Sequence, residues 1–325
     1  MANRSNARWP YVACVVLQTV IFGSGNAITK MAYDSISPLW CLAIRFGLAT
    51  LVFAALFGPR IVRQLRHAQV RDWLPAACCM AVSYLTCNVA LDLTTATNVG
   101  FLVALPVVFA PLLSMVVGRG RYPRSFVPLQ VAVVGGLYLL CSNGGSFDMG
   151  WGEILALISS VALAGALVFG ERGLQRIDAM AVAGTQIAAS FALSLACALA
   201  LEPLPNLATV QPFAWGTIAF LALLSTCLTF ALQNVSLTVL RSTTVSLLLT
   251  GEPVFTALFS WMLLGETLSM AGFVGAALIV ASVIAATLIE SYQDRLASAF
   301  PRRIRAARLV LTQAVQGLAG FAARL

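Results

Sequence analysis

A chain of 325 residues in which 60% are hydrophobic and only 10% are charged is not an ordinary soluble protein, where about 25% charged residues are usual. A transmembrane helix needs roughly 20 mostly apolar residues, so the chain has room for about ten spans but not for an additional soluble domain. The net charge of +8 would also suit a nucleic-acid-binding protein, but the placement of the arginines indicates membrane topology instead.

Apolar runs between turn signals predict ten membrane helices in chain order. They lie at 10–30, 37–57, 73–92, 97–117, 126–143, 151–171, 180–201, 212–233, 243–264 and 269–289. The first run follows Arg4 and Arg8, as in a signal peptide, and residues 23–27 loosely resemble a cleavage site. Because nine more apolar runs follow, we expect an uncleaved first helix.

Arginines accumulate in alternate loops, and cytoplasmic loops of membrane proteins carry the excess of basic residues. With the N-terminus inside, the cytoplasmic arginines are Arg4, Arg8, Arg60, Arg63, Arg66, Arg71, Arg119, Arg121, Arg124, Arg172, Arg176, Arg241 and six from Arg295 onward. The predicted outer loops contain Asp34, Asp148, Glu202 and Glu266. We therefore predict an inner-membrane protein with both termini in the cytoplasm. Loops 58–72 and 118–125 are then inside, and loops 144–150 and 202–211 are outside.

Cysteine and histidine usage argues against a metal site. All eight cysteines lie in apolar runs without a CxxC pair, and His67 is the single histidine. Zinc sites need several thiolate or imidazole ligands at short spacing. The sequence also has no GxSxG or HExxH motif and no histidine within a span to act as a base. We expect no cofactor, no metal and no enzymatic activity.

An internal repeat appears when residues 93–118 are aligned with 240–265 without a gap. Eight of 26 positions are identical, including Pro106 with Pro253 and Gly118 with Gly265. Five spans, an odd number, separate the two units, so the halves enter the membrane from opposite sides. Inverted repeats are typical of secondary transporters, whose substrate site lies between the halves. We predict an all-α polytopic membrane protein of ten transmembrane helices in two inverted five-helix repeats, 1–145 and 146–290, followed by a tail at 291–325.

The chain resembles the drug/metabolite transporter superfamily, and within it the EamA-type transporters, over residues 10–290. The motifs that carry the resemblance are Phe22-Gly23-Ser24 with Lys30, Pro38 with Arg45, and Glu252-Pro253-Val254 with Leu264-Gly265-Glu266. The matching places of the first half read Leu105-Pro106-Val107 and Val117-Gly118-Arg119, without the acidic residues. The resemblance implies ten helices, cytoplasmic termini, alternating access, and export or exchange of amino acids and other metabolites. A channel or a small-molecule sensor is the alternative.

Polar stripes run along four of the predicted helices. They consist of Gln18, Phe22 and Asn26; Tyr84, Asn88 and Asp92; Gln186, Ser190 and Ser194; and Thr226, Phe230, Gln233 and Asn234. Such stripes avoid lipid and either line a shared wet cavity or form interhelical hydrogen bonds, worth about 0.6 kcal/mol on average. We favour the cavity for the amides and Tyr84, and hydrogen bonds for the serines. The candidate substrate-binding residues are Gln18, Phe22, Asn26, Trp40, Arg45, Tyr84, Asn88, Gln186, Phe230, Gln233 and Asn234.

Prolines and ionisable residues within spans complete the candidate site. Pro106 and Pro253 lack an N–H and are expected to kink their helices, as hinges or as static bends, and to release the carbonyls of Leu102 and Leu249. Glu252 is either a structural hydrogen-bonding group or a proton-coupling carboxylate. Arg45 either holds a substrate carboxylate or reaches toward the headgroups.

The expected partners are a small-molecule substrate and the lipid bilayer, with no nucleic acid, and the chain is expected to be a monomer, with a dimer as the alternative. The aromatic candidates Phe22, Trp40, Tyr84 and Phe230 suit an aromatic or apolar amino acid but are equally expected as packing residues. After Pro301 the tail combines arginines with apolar residues, which favours a basic helix on the inner leaflet, with disorder as the alternative.

Overall fold

The computed structural model describes residues 8–33, 35–94, 96–117, 127–141, 150–206, 210–264, 269–285 and 288. Within these ranges every regular element is a helix, which confirms the predicted all-α class. The tail at 291–325, the loop at 118–125, most of the loop at 144–150, and the acidic residues Asp34, Asp148 and Glu266 lie outside the described residues.

The helices follow one another with short connections. They are α1 Trp9–Ala32, α2 Pro38–His67, α3 Val70–Leu93, α4 Ala96–Val103, α5 Pro106–Val116, α6 Val127–Cys141, α7 Trp151–Gly173, α8 Ala179–Leu201, α9 Pro212–Ala222, a π-helical segment Leu223–Leu228, α10 Thr229–Leu237, α11 Ser242–Leu249, α12 Glu252–Leu264 and α13 Met270–Ala285.

Six stretches are long and apolar enough to cross a bilayer, and three shorter apolar helices accompany them. The six are Pro38–His67, Val70–Leu93, Val99–Val116, Trp151–Gly173, Ala179–Leu201 and Pro212–Leu237. The shorter helices are Trp9–Gly25, Val127–Leu139 and Met270–Ala285. Large apolar side chains such as Leu51, Leu56, Val131 and Leu201 are more than half exposed on the outer surface. A surface of this kind is stable in lipid, so the protein is a multi-pass membrane protein.

Two predicted helices are each divided in two. The predicted helix at 97–117 is broken by a turn at Ala104 and Leu105, and the one at 243–264 by a turn at Thr250 and Gly251. Both turns immediately precede the segments that contain Pro106 and Pro253. Proline has no N–H and its ring clashes with the preceding turn, yet it fits the first turn of a new helix.

The carbonyl of Leu102 is not the free acceptor that the sequence predicted. It accepts a hydrogen bond from the N–H of Leu105 at 3.2 Å. The chain closes a tight turn at the break, and this turn supplies the donor that proline removes from the helix. The prediction treated the missing N–H of Pro106 by itself and overlooked the rearrangement of its neighbours.

Helix α2 is longer than predicted. It continues from residue 57 to His67, and only Ala68 and Gln69 separate it from α3. The predicted loop at 58–72 is therefore mostly helix. The apolar run ends at Gly58 and Pro59, but the residues that follow are good helix formers and need no lipid around them to stay helical.

Helices from distant parts of the chain pack against each other to form the bundle. α3 lies along α7, α2 lies along α8, and α1 contacts α12 and α10. The contact of α1 with α12 depends on Gly23, because a Cβ at this position would lie 2.6 Å from Cβ of Phe255 and 2.8 Å from the backbone nitrogen of Thr256. Glycine thus lets the two backbones approach directly after the break at Gly251.

Candidate functional site

A small cavity lined by both polar and apolar residues lies among α1, α2, α3 and the π-helical segment with the end of α9. Its volume is about 50 Å³, enough for a few water molecules. The lining residues are Phe22, Gly25, Thr29, Arg45, Tyr84, Cys87, Asn88, Leu91, Leu221 and Ser225. Four predicted substrate-binding residues, Phe22, Arg45, Tyr84 and Asn88, are thus brought together from three different helices.

Arg45 is the central group of this cavity. Its side chain is buried, and the Nε–H donates to Oγ1 of Thr226 at 2.9 Å. Nη2 donates to the carbonyl and to Oγ of Ser225, at 3.1 and 3.2 Å. The guanidinium carbon lies 5.4 Å from the ring centroid of Tyr84, within cation–π range. These contacts hold the guanidinium inside the bundle, so the predicted alternative of reaching toward the headgroups does not describe this structure.

Both hydrogen-bonding partners of Arg45 belong to the π-helical segment. A π turn spaces its hydrogen bonds five residues apart and commonly occurs at functional sites. The segment Leu223–Leu228 lies between α9 and α10, and its carbonyl at Ser225 accepts both from Arg45 and from Oγ1 of Thr229. The irregular turn therefore presents backbone and hydroxyl oxygens to a buried cation.

Asn88 connects the cavity to the end of α1. Its Oδ1 accepts a hydrogen bond from the hydroxyl of Tyr33 at 2.6 Å, and its Nδ2 donates to the carbonyl of Tyr84 at 2.8 Å. The amide is thereby fixed in orientation. Tyr33 was not among the predicted site residues, and it directly follows the last residue of α1.

Three aromatic rings pack beside Arg45. Phe46 lies edge-on to Tyr84 at 5.1 Å and to Phe230 at 6.1 Å, and Tyr84 lies 5.4 Å from Phe230. Phe46 and Phe230 are almost completely buried. Phe230, a predicted substrate-binding residue, therefore packs in this aromatic cluster and is not among the residues that line the cavity.

Four of the six amide candidates form two buried pairs. Nε2 of Gln18 donates to Oε1 of Gln233, and Nδ2 of Asn234 donates to Oε1 of Gln186, both at 2.8 Å. None of the four is more than 3% exposed, and none lines the cavity. In this structure each of these four amides therefore forms an interhelical hydrogen bond, the alternative to cavity lining, whereas the amide of Asn88 lines the cavity. Among the described residues, no hydrogen-bond partner reaches the remaining polar atoms of the four, such as Oε1 of Gln18 and Nε2 of Gln186.

The other candidates lie at the edges of the site. Trp40 is buried near the start of α2, and its Nε1–H donates to the carbonyl of Pro203 at 2.8 Å. Glu252 is the first residue of α12 and lies within electrostatic range of Tyr84 and Cys87, two residues that line the cavity. The side chains of Asn26 and Lys30 lie outside the described residues.

A hydrogen-bonded contact that the sequence did not predict joins the end of α8 to the start of α2. Glu202, at the end of α8, accepts hydrogen bonds from Oγ of Ser37 at 2.5 Å and from the backbone N–H groups of Leu39 and Trp40 at 3.2 Å. A carboxylate is favourable at a helix N-terminus because the first N–H groups lack partners within the helix. The sequence predicts Glu202 only as an acidic residue of an outer loop, because its contact spans over 160 positions of sequence.

The family model for the EamA-like transporter family matches residues 9–142 and again residues 150–288. The chain belongs to the EamA-like transporter family. This confirms the resemblance found in the sequence motifs, and the protein is accordingly a membrane transporter.

Relatives of this EamA-like chain are transporters by their descriptions. It is 29% identical to an uncharacterized transporter of Archaeoglobus fulgidus, over 84% of each chain. It is 27% identical to the threonine/homoserine exporter RhtA of Escherichia coli, over 88% of this chain and 94% of RhtA. It is also 27% identical to the inner membrane transporter YedA of the same species, over 83% and 88%. A solved crystal structure has the same fold, with a TM-score of 0.72 and 20% identity over 86% of this chain and 96% of that one.

Proposed function

We propose that this protein is a secondary transporter that exports or exchanges small metabolites, with amino acids or related compounds as substrates, by alternating access. The observation that carries the proposal is the cavity around the buried Arg45, within a bundle whose outer surface suits lipid. Ionisable groups inside a membrane bundle are expensive and mark transport pathways. The similarity to the threonine/homoserine exporter RhtA supports amino acids as the substrate class.

The inverted repeat is part of this proposal, with units at 1–145 and 146–290 and ten spans. The two separate matches of the family model support it. The pattern of helix contacts also supports it. α3 packs on α7, and the equivalent helices of the second half, α9 and α10, pack on α1, which is the equivalent of α7. In the same way α5 contacts α7, and its equivalent α12 contacts α1. These pairs exchange when the first half is mapped onto the second. The cavity is then bounded by helices from both repeats, as in other carriers with inverted repeats.

The proposed orientation places both termini in the cytoplasm of a cell with an inner membrane. Two ion pairs, Arg60 with Asp178 and Arg176 with Asp72 at 3.0 Å, lie at the same end of α2, α3 and α8. Glu202 lies at the opposite end of α8. The basic end of the bundle is thus the one that the positive-inside rule assigns to the cytoplasm.

Two single cysteines test this orientation. In a background without the native cysteines, Leu204→Cys should react with an impermeant thiol reagent in intact cells, whereas Arg63→Cys should react only after the membrane is permeabilised. Both positions are exposed, so access by the reagent is decided by the side of the membrane. The reverse labelling pattern would contradict the proposed topology.

Counterflow in proteoliposomes tests the transport mechanism. Vesicles containing the purified protein and an unlabelled amino acid should accumulate the labelled compound transiently, because a carrier is accelerated by substrate on the opposite side. A channel lets the compound equilibrate without this acceleration, and a sensor transports nothing. Chromatography of the recovered label checks that the compound is unchanged, as expected of a transporter.

A further inference from the structure

We propose that Arg45 recognises a substrate carboxylate, so that the transported solutes carry this group. The inference rests on the proposed transport function, since it assigns the cavity around Arg45 as the substrate site. It adds the chemical class that this site selects.

Arg45 is a buried cation with no ion pair among the described residues, although Glu252 lies within electrostatic range of the cavity residues Tyr84 and Cys87. Among the residues that the structure describes, no carboxylate lies within ion-pairing distance of its guanidinium. The groups that contact it are a threonine hydroxyl, a serine hydroxyl, a backbone carbonyl and aromatic rings. Hydrogen bonds from neutral groups orient a guanidinium but do not neutralise its charge, and a buried charge without a directly bound counter-ion is costly in a membrane. A ligand carboxylate supplies the missing charge.

The position of Arg45 suits a ligand better than a purely structural role. The residue lies seven positions into α2, about 10 Å along the helix axis at 1.5 Å per residue, and it lines the cavity beside Tyr84 and Asn88. Arginine binds carboxylates through two parallel N–H groups, which gives strength and geometric selectivity. A lysine at the same place would supply the charge without this paired geometry.

The hydrogen bonds seen here also indicate how the guanidinium meets a carboxylate. Nε is held by Thr226, while Nη2 is shared between two oxygens of Ser225. Paired binding of a carboxylate then exchanges the Ser225 contacts for the ligand, while Thr226 continues to orient the side chain. Because Ser225 lies in the π-helical segment, ligand binding is communicated to the turn between α9 and α10.

The test compares acids with their neutral isosteres. The purified full-length protein is titrated with each of the twenty standard L-amino acids and with the corresponding C-terminal carboxamides, and affinity is measured from the ligand-induced shift in thermal unfolding. At least one acid should bind the wild-type protein at least tenfold more tightly than its carboxamide. Equal affinity of every acid and its carboxamide, or no binding by any acid, overturns the inference.

Variants locate the recognition at Arg45. The difference between acid and carboxamide should disappear in Arg45→Gln and shrink at least tenfold in Arg45→Lys, which keeps the charge but loses the paired N–H groups. Arg63→Gln, at an exposed position near the end of α2, should keep the full difference and serves as the matched control. If Arg45→Gln fails to fold, Arg45→Lys and the wild-type comparison still decide. An unchanged difference in Arg45→Lys contradicts the role assigned to Arg45.

Counterflow separates this inference from the proposed function. If the protein binds acids more tightly than carboxamides but substrate on the opposite side does not accelerate transport, carboxylate recognition is supported and the carrier mechanism is contradicted. If a solute without a carboxylate accelerates counterflow as much as any acid does, the carrier mechanism is supported and carboxylate recognition is contradicted.

Discussion

The guanidinium of Arg45 and the hydroxyl of Thr226 join α2 to the π-helical segment through a hydrogen bond of 2.9 Å. The two residues are 181 positions apart in the chain and belong to different predicted repeats. A cation on one helix is thus oriented by an irregular turn of another. Any movement of the two halves relative to each other must preserve or replace this contact, which makes it the first target for mutation.

Thr226→Val should impair transport more than folding. Valine has nearly the shape of threonine but cannot accept the Nε–H of Arg45, and a hydrogen bond to a charged group is worth about 1.5–3 kcal/mol. We expect amino-acid counterflow to fall roughly tenfold or more while the protein still elutes as a single folded species in size-exclusion chromatography. Thr238→Val is the control, because Thr238 is bonded only to its own helix at Val235. Equal effects of the two substitutions would argue against a role for Thr226.

Much of the site could be predicted because polar stripes in apolar helices have few explanations. Phe22, Tyr84 and Asn88 were predicted from helical spacing and Arg45 from its charge within a span, and all four line the cavity. Ser225 was missed, because its carbonyl becomes available only through a π turn, and local propensities do not distinguish a π turn from an α turn. Whether a polar residue of a stripe lines the cavity or bonds to another helix depends on which residues face each other in the packed bundle. The spacing of residues along one helix does not predict this.

The positions of the helix breaks and helix ends could also be predicted only in part. Pro106 and Pro253 indicated where the backbone is irregular, but the sequence did not show that Leu105 donates back to Leu102. Hydropathy ended α2 near residue 57, whereas the helix reaches His67. Hydropathy reports where lipid ends, and a helix continues into water when its residues are good helix formers.

The pair Gln18 and Gln233 should behave as a structural contact. Gln18→Leu leaves the buried amide of Gln233 without its partner, whereas the double change Gln18→Leu with Gln233→Leu removes both polar groups. We expect the single variant to unfold at a lower temperature than the double variant, with a coupling energy of about 0.6 to 1.7 kcal/mol, from the average to the maximum of double-mutant cycles in one helical membrane protein. Thermal unfolding of the four proteins of the cycle in detergent measures it. Additive effects would indicate that the amides act independently.

Gly23→Ala should destabilise the contact of α1 with α12. The added Cβ would meet Cβ of Phe255 at 2.6 Å and the backbone nitrogen of Thr256 at 2.8 Å, and backbone cannot move aside cheaply in a packed bundle. We expect a cost of about 1–3 kcal/mol, observed as a lower unfolding temperature and a lower folded yield. Gly216→Ala, in α9 where a Cβ meets nothing within 4 Å, should be neutral or slightly stabilising. A Gly23→Ala protein as stable as Gly216→Ala would contradict the packing argument.

Glu252 is the residue that separates a structural from a proton-coupling interpretation of the break in the second half. It begins α12, where an acidic side chain is favourable near the free N–H groups of a helix N-terminus, and the turn at Thr250 and Gly251 immediately precedes it. The corresponding place in the first half is Leu105, also directly before a proline. A helix can therefore restart at this kind of break without a carboxylate, so the acid contributes local stability and does not define the break.

We expect Glu252→Gln to retain both exchange and pH-driven accumulation of the substrate in proteoliposomes. Glutamine keeps the shape and the hydrogen-bonding capacity of the side chain but cannot exchange protons at neutral pH. Glu252→Ala should instead lower the folded yield, because the groups that interact with Glu252 lose their partner in a low-dielectric interior. If accumulation is lost in Glu252→Gln while exchange is intact, the carboxylate carries the coupling proton and the structural interpretation is wrong. Measuring exchange and accumulation on the same vesicle preparation makes the two outcomes distinct, since a misfolded protein loses both.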